Sequence, residues 1–255
     1  MEPHSSPRLV AMTAGHEALE RAKATTFYHV LELTPEYTTP GWFDLRPYVG
    51  EYGIPADLTG KRVLDVGTWD GFWAFELERR GAQVVALDLD SERDLDWPPR
   101  HRPARYDVGG PRGQGFHLAK ELLGSKVERV VESIYHATPE ELGRFDLVFC
   151  GSVLLHLRDQ FLALERICNL VKPGGLFISA EEHDRMADRI PFPVSRFRAE
   201  RHAAVVYYLP AKKTWRKLMW AAGFDDVRQA GTFTMVVGEG DKQFKVPHVV
   251  HHCRS

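Results

Sequence analysis

The chain has 255 residues, 44% apolar and 27% charged, which is enough for one sizeable core or two small ones and too apolar for a disordered chain. No apolar run approaches the roughly 18 residues that cross a bilayer, so no membrane part is expected. Cys150, Cys168 and Cys253 are far apart and odd in number; they form neither a disulfide framework nor a zinc knuckle and suit a reducing cytoplasm.

The first 22 residues hold no long apolar stretch and do not read as a secretory signal. Residues 1–59 read as an N-terminal extension or lid: a helical stretch over Gly15–Ala24, the strand-like FYHVLEL, and the turn-rich TPEYTTPGWFDLRP. Residues 60–255 read as the main domain. RVLDVG (62–67) is a short apolar run halted by glycine, hence a strand. GFWAFELERRG (71–81) predicts an amphipathic helix that closes on two arginines and a glycine. AQVVALDLD (82–90) is a second strand, and residues 91–120 form a polar insertion rich in Pro, Gly and Arg. KVERVVESIY (126–135) is a third strand. RFDLVFCGS (144–152) is a fourth, apolar throughout as for a strand covered on both faces. FLALERICNLVKPGG (161–175) carries a 3.6-residue apolar stripe and stops at Pro-Gly-Gly, before the strand LFISAEE (176–182). A second insertion, about 184–209, precedes the helical TWRKLMWAAGF (214–224), and VRQAGTF pairs with HVVHHC as a closing hairpin. Strand–helix alternation of this kind predicts an α/β fold: a doubly wound, mostly parallel, seven-stranded sheet.

Charge is uneven along the chain. Between Arg185 and Phe224 nine basic residues face only Asp188 and Glu200, a local charge of +7, whereas the whole chain carries −2. Such a stretch reads either as a solvated helix face with an arginine-rich loop or as an anion or nucleic-acid contact.

The loop Asp65-Val66-Gly67-Thr68-Trp69-Asp70-Gly71 joins the first strand to the first helix, the place where open α/β sheets bind ligands. Gly67 permits a tight turn and Gly71 a close helix start. Asp88 ends the next strand, where a carboxylate accepts both hydroxyls of a ribose. Dinucleotide sites need a further glycine between these two; Trp69 stands there, so NAD and FAD are disfavoured, and the absence of GKS or GKT disfavours a nucleoside triphosphate. A nucleoside with a small zwitterionic tail fits better, and S-adenosyl-L-methionine is such a ligand. Ile134 and Tyr135 follow the third strand, and Cys150, Gly151 and Ser152 end the fourth strand near the amino-acid end. Trp69 is expected to line the pocket and Trp73 to lie in the core, while Trp42 and Trp97 fall near loops.

VLDVGTWDG, the acidic end of ALDLD, FDLVFCGSVLLHLRD and VKPGGLFISAE resemble motifs I, II, IV and VI of class I S-adenosylmethionine-dependent methyltransferases. TPGWFDLRP, LDVGTWDGFWAFELERRGA and YYLPAKKTWRKLMWAAGFDDVR are similar to the subgroup around the bacterial wobble-uridine carboxymethyltransferase. That subgroup holds its carboxylated cofactor partly by a tyrosine directly before the histidine after strand four. Leu155 takes that place here, so plain S-adenosylmethionine is expected. Class I members place their adenine contacts after the third strand, where Ile134 and Tyr135 stand here. The resemblance implies S-adenosylmethionine-dependent methyl transfer; an acidic body and an aromatic cleft suit O-methylation of a small hydroxylated acceptor such as a sugar or glycoside, and the +7 stretch with the subgroup resemblance suits methylation of tRNA instead. A non-catalytic cofactor-binding subunit is a third reading.

Methyl transfer to a hydroxyl needs a base. His156, just past strand four, and His183, after strand five, are the catalytic candidates. Glu181, Glu182 and Asp184 flank His183, either to orient it or to hold a Mg²⁺ ion; no metal is expected. Tyr28 and His29 are candidates for a lid. The sequence leaves a homo-oligomer open.

Overall fold

Aliphatic runs ending in glycine or aspartate build the sheet. The computed structural model describes residues 7–100, 112–199, 205–238 and 243–255. In chain order the elements are α1 (Pro7–Lys23), β1 (Glu32–Thr34), β2 (Tyr37–Thr38), β3 (Arg62–Val66), α2 (Phe72–Arg79), β4 (Gln83–Asp88), α3 (Gln114–Leu123), β5 (Glu128–Val131), α4 (Pro139–Leu142), β6 (Phe145–Gly151), α5 (Gln160–Leu170), β7 (Val171–Glu182), β8 (Ser195–Phe197), β9 (Tyr208–Pro210), α6 (Lys212–Ala221), β10 (Asp226–Val237) and β11 (Phe244–Arg254). Short 3₁₀ turns span Arg46–Tyr52, Glu92–Asp94, Leu154–His156 and Ala187–Arg189.

The main sheet has seven strands in the order β10-β11-β7-β6-β3-β4-β5. β3 pairs in parallel with both β4 and β6, β4 with β5, and β6 with β7. β11 runs antiparallel between β7 and β10. The chain winds one way from β3 through β4 to β5 and the other way through β6 and β7. The carboxyl ends of β3 and β6 therefore flank the switch point of a doubly wound sheet.

Successive strand residues face opposite sides, and both sides are covered. Val63, Ala86, Leu147, Phe149, Ile178 and Val250 pack under α2, α3 and the N-terminal segment. Leu64, Val66, Val85, Val148, Cys150, Phe177 and Val249 pack under α5 and α6. Burial on both faces explains why these strands read as unbroken apolar runs. Residues 15–59 share the first of these cores: Ala22, Phe27, Leu31, Leu33 and Leu45 belong to the same cluster as Phe72 and Phe116.

Two expectations change. Gln114–Leu123 is the helix α3, so the insertion expected over 91–120 ends at Gly113; its residues 101–111 lie outside the described residues, as do 200–204 of the second insertion. The apolar face of α3 is Phe116, Leu118 and Ala119, all buried, too short a signal to stand out beside the Pro- and Gly-rich residues before it. β7 also starts at Val171 rather than Leu176, with Val171 paired to Phe145 across a register shift. The bulge carries Lys172-Pro-Gly-Gly along the sheet, where the sequence predicts a loop.

Candidate active site

β3 delivers the glycine loop to the switch point. Gly67 has φ 76° and Gly71 has φ 96°, a region that side chains other than glycine rarely enter. A Cβ on Gly67 meets Val153 Cγ2 at 2.4 Å, and one on Gly71 meets Phe75 Cε2 at 2.4 Å. The turn is held by Gly67 N–H to the Leu87 carbonyl at 2.8 Å and Gly71 N–H to the Thr68 carbonyl at 2.8 Å. Trp69 adopts φ 51°, and its N–H donates to Asp88 Oδ2 at 2.6 Å. Leu89 N–H donates to Asp88 Oδ1 at 2.7 Å, which leaves further lone pairs on both oxygens.

The Trp69 indole is sandwiched. Tyr28 stacks on one side, with centroids 4.2 Å apart. An Arg112 guanidinium lies 3.8 Å from the Trp69 ring centre, and it also lies 3.8 Å from Asp88 Oδ1 and 2.7 Å from Glu92 Oε1. The N-terminal segment reaches the same loop: Asp70 accepts the N–H groups of Tyr28 and His29 at 2.7 and 2.9 Å, and its other oxygen holds His29 Nδ1. Asp65 and Thr68 are buried, and Asp65 Oδ2 and Thr68 Oγ1 have no hydrogen-bond partner. Burial pushes the Asp65 carboxyl up to about 7, against the nearby Thr68 hydroxyl, which pulls it down, and with the Asp88 charge, which pushes it up. A cationic ligand group beside it restores the ionised form. These residues fit a nucleoside bearing a positive charge at the amino-acid end.

The other half of the crevice is built by β6, β7 and β11 and is rich in histidine. β6 ends at Gly151 and turns through Ser152, φ 55°. Ser152 Oγ lies 2.8 Å from His248 Nε2, and His248 Nδ1 lies 3.1 Å from the Val246 carbonyl. The carbonyl takes the Nδ1 proton, so Nε2 accepts from the serine; burial pushes His248 down to about 4. His156 closes the turn Leu154–His156 with Nδ1 2.6 Å from the Val205 carbonyl. That bond fixes the proton on Nδ1 and leaves the Nε2 lone pair free of it. Burial lowers the His156 pKa and keeps the ring neutral.

Glu181 is buried beneath this turn and accepts the N–H groups of Val153, Leu154 and Leu155 at 3.1, 3.1 and 3.3 Å. Burial raises its pKa to about 8, while those three donors pull it down. Its carboxyl oxygens cap the turn that carries His156. His183 instead has Nδ1 2.8 Å from Asp188 Oδ2 and borders a cavity of about 200 Å³ with Arg185, Thr232 and Phe233. Asp184 accepts the N–H groups of Met186 and Ala187 at 2.8 and 3.2 Å. Asp188, rather than Glu181, Glu182 or Asp184, is the carboxylate on the His183 ring. Among the described residues no group of three or more His, Cys, Asp or Glu is arranged to hold a metal.

Of the other sequence candidates, Ile134 is buried in the core. The Tyr135 hydroxyl donates to Asp96 at 2.6 Å and accepts the Asp159 N–H at 3.0 Å. Cys150 is wholly buried, and burial raises its thiol pKa. Gly151 is half-buried at the strand end. Trp73 is core, Trp42 is exposed, and Trp97 is half-buried with its indole N–H on the Glu92 carbonyl at 2.7 Å. Sequence reasoning left out Asp70, Asp188, His248 and Arg112. Asp70 had a signal, being the one further acidic residue within the glycine loop. Asp188 lies five residues after His183, past the strand end, whereas His248 and Arg112 meet the site only through long-range pairing.

A switch-point crevice with this loop, an acidic end on the neighbouring strand and a closing antiparallel hairpin defines an S-adenosylmethionine-dependent methyltransferase. The chain belongs to the methyltransferase domain family, which it matches over residues 36–229. It is 34% identical over 124 residues to a ubiquinone biosynthesis O-methyltransferase of Xanthomonas oryzae pv. oryzae, covering 48% of this chain and 44% of the relative. It is 26% identical over 171 residues to a tRNA U34 carboxymethyltransferase of Desulforapulum autotrophicum, covering 67% of this chain and 46% of that one. The matches thus span under half the length of these curated relatives. The fold resembles the N-terminal domain of EvdMO1 solved with S-adenosylhomocysteine bound, at TM-score 0.61 and 16% identity, covering 100% of both chains. It also resembles the 1,6-didemethyltoxoflavin-N1-methyltransferase of Burkholderia thailandensis, at TM-score 0.51 and 16% identity, covering 100% of this chain and 92% of that one. No helix among the described residues is long and apolar enough to cross a membrane.

Proposed function

We propose that the domain methylates a hydroxyl group of a small hydroxylated acceptor, with sugars and glycosides among the compounds to test. S-adenosylmethionine, when bound, supplies the electrophilic methyl group. Asp65 faces its charged end, Gly67 and Gly71 let the backbone approach, Trp69 walls the pocket and Asp88 accepts the ribose hydroxyls. Ile134 and Tyr135 flank the base, and Cys150 and Gly151 border the methionyl end. Residues 1–59 act as the lid, through Tyr28 stacked on Trp69 and His29 fixed on Asp70.

The observation that carries this reading is the His156 ring at the carboxyl end of β6. Its Nδ1 proton is held by the Val205 carbonyl at 2.6 Å, and its lowered pKa keeps it neutral. A neutral imidazole with an available Nε2 lone pair is a competent base for a hydroxyl proton. His183, with Asp188 on its Nδ1, is the alternative base. The similarity to an O-methyltransferase supports the hydroxyl as acceptor atom.

The test is a screen of phenols, polyols, sugars and glycosides, with amines and thiols alongside, using methyl-labelled S-adenosylmethionine. Label recovered as an ether supports the proposal; transfer only to nitrogen or sulfur acceptors overturns it. A second reading, methylation of tRNA, is favoured by the +7 stretch over residues 185–224 and by the tRNA-modifying relative. Filter binding of tRNA at two salt concentrations decides it, because binding through phosphates weakens steeply with salt; no retention at either concentration removes it.

A further inference from the structure

The basic stretch has a feature that methyl transfer leaves unused. α6 begins at Lys212, and its first turns face the edge of the sheet where β10 and β11 pair Gln229 with His251. Between them lies a cavity of about 280 Å³ lined by Asp188, Lys212, Lys213, Arg216, Gln229 and His251. A water molecule takes about 30 Å³ of liquid volume, so a tetrahedral oxyanion and several waters fit.

Three cations line this cavity and one anion opposes them. Asp188 is already engaged: Oδ1 accepts the Lys212 N–H at 2.8 Å, and Oδ2 lies 2.8 Å from His183 Nδ1. It caps α6 and orients His183, while Lys212 Nζ stands off at 3.6 Å. The Lys213 ammonium donates to the Ile190 carbonyl. Arg216 has no ion-pair or hydrogen-bond partner among the described residues.

The inner wall is His251, which is 1% exposed, and its Nε2 has no hydrogen-bond partner. A buried polar atom is rarely left unsatisfied without a reason such as a bound ligand. An unpartnered guanidinium at the mouth and an unpartnered imidazole on the inner wall, in a cavity with a surplus of positive charge, ask for an acceptor-rich anion.

We propose that this cavity binds a phosphate-sized oxyanion, as free phosphate or as the phosphoryl group of a small molecule, held by Arg216, Lys212 and the His251 imidazole. Burial and the neighbouring Arg216 charge keep His251 neutral in the free protein; an anion there offsets the guanidinium and favours a ring proton aimed at it.

Thermal unfolding of the full chain in inorganic phosphate, against chloride at equal ionic strength, tests this. At about ten times Kd, Tm rises by about 3 °C over chloride. Phosphate also strengthens burial without binding, so the decisive comparison is Arg216→Gln. That exposed residue can change without loss of the fold, and the variant loses the phosphate-specific rise. Lys217→Gln, which removes a cation that does not line the cavity, keeps it. A parallel series with a phosphomonoester separates the sources: a rise with the ester alone assigns the site to a substrate or effector phosphoryl group, and a rise with both assigns it to phosphate itself. Equal Tm in chloride, phosphate and the phosphomonoester, or an undiminished rise in Arg216→Gln, overturns the proposal. S-adenosylmethionine affinity, measured on the same variants, is unchanged, so this outcome is independent of the methyl-transfer reading.

Discussion

The two halves of the crevice are made differently. The β3–β4 half is local: one seven-residue loop and one aspartate supply its glycines, its carboxylates and its tryptophan. Two of its polar atoms, Asp65 Oδ2 and Thr68 Oγ1, are buried without partners. The β6–β7–β11 half brings together β6, β7 and β11, and two of its histidines are hydrogen-bonded at Nδ1, His156 to the Val205 carbonyl and His248 to the Val246 carbonyl, while His183 Nδ1 lies 2.8 Å from Asp188 Oδ2. A half that receives a fixed cofactor can be written into one loop. On the proposed reading a proton-removing half needs its imidazole held in one tautomer, and for His156 that takes the Val205 carbonyl, 49 residues along the chain.

The sharpest way to break the comparison is to exchange the consequences of mutation. His156→Ala is expected to lower kcat by about 10²–10⁴-fold and leave S-adenosylmethionine affinity unchanged; single-turnover rates and calorimetry separate the two. His183→Ala, losing less, confirms that order, whereas the reverse ranking moves the base to β7. Asp88→Asn acts on the other half. It should weaken cofactor binding by about 10–100-fold, the range of one or two charge-assisted hydrogen bonds, with kcat at saturation retained. A kcat loss in Asp88→Asn equal to that of His156→Ala denies that the halves have separate work.

Gly71→Ala probes the scaffold. With φ 96° and a Cβ placed 2.4 Å from Phe75, it should destabilise the fold by about 2 kcal/mol in urea unfolding. The smallest effect is in pH. Asp65 and Glu181, raised to about 7 and about 8 from 3.8 and 4.5, bind protons in the folded state that the unfolded chain has released. His248 and His251, lowered to about 4 from 6.5, do the opposite below pH 6.5. The terms oppose one another between pH 4.5 and 6.5. Above that the carboxyls act alone, and stability falls toward pH 8. Saturating S-adenosylmethionine should flatten the fall by stabilising ionised Asp65.

How much of this was legible follows from sequence distance. The sheet was readable because strands buried on both faces leave long apolar runs, and the glycine loop because its constraints lie within seven residues. α3 was hidden because its apolar face is three residues wide. Trp215 tells the same story on the helical side: its indole N–H seeks the Glu182 carbonyl at 3.0 Å, a pairing no local pattern announces. His183 was found as a candidate, yet its partner is Asp188 rather than the adjacent acids, since β7 ends there and the chain bends back through the turn Ala187–Arg189. Glu181 looked like a member of an acidic cluster; its inward face on β7 makes it a cap instead.

The antiparallel hairpin carries one more consequence. β10 precedes β11 in the chain yet touches the sheet only through it, so the sheet cannot grow in the order in which it is synthesised. Until β11 docks, the edge of β7 presents bare amide and carbonyl groups beside a greasy surface, a template for pairing with another molecule. Long-range closure of that kind is slow, and conditions that delay it should favour inclusion bodies over native protein.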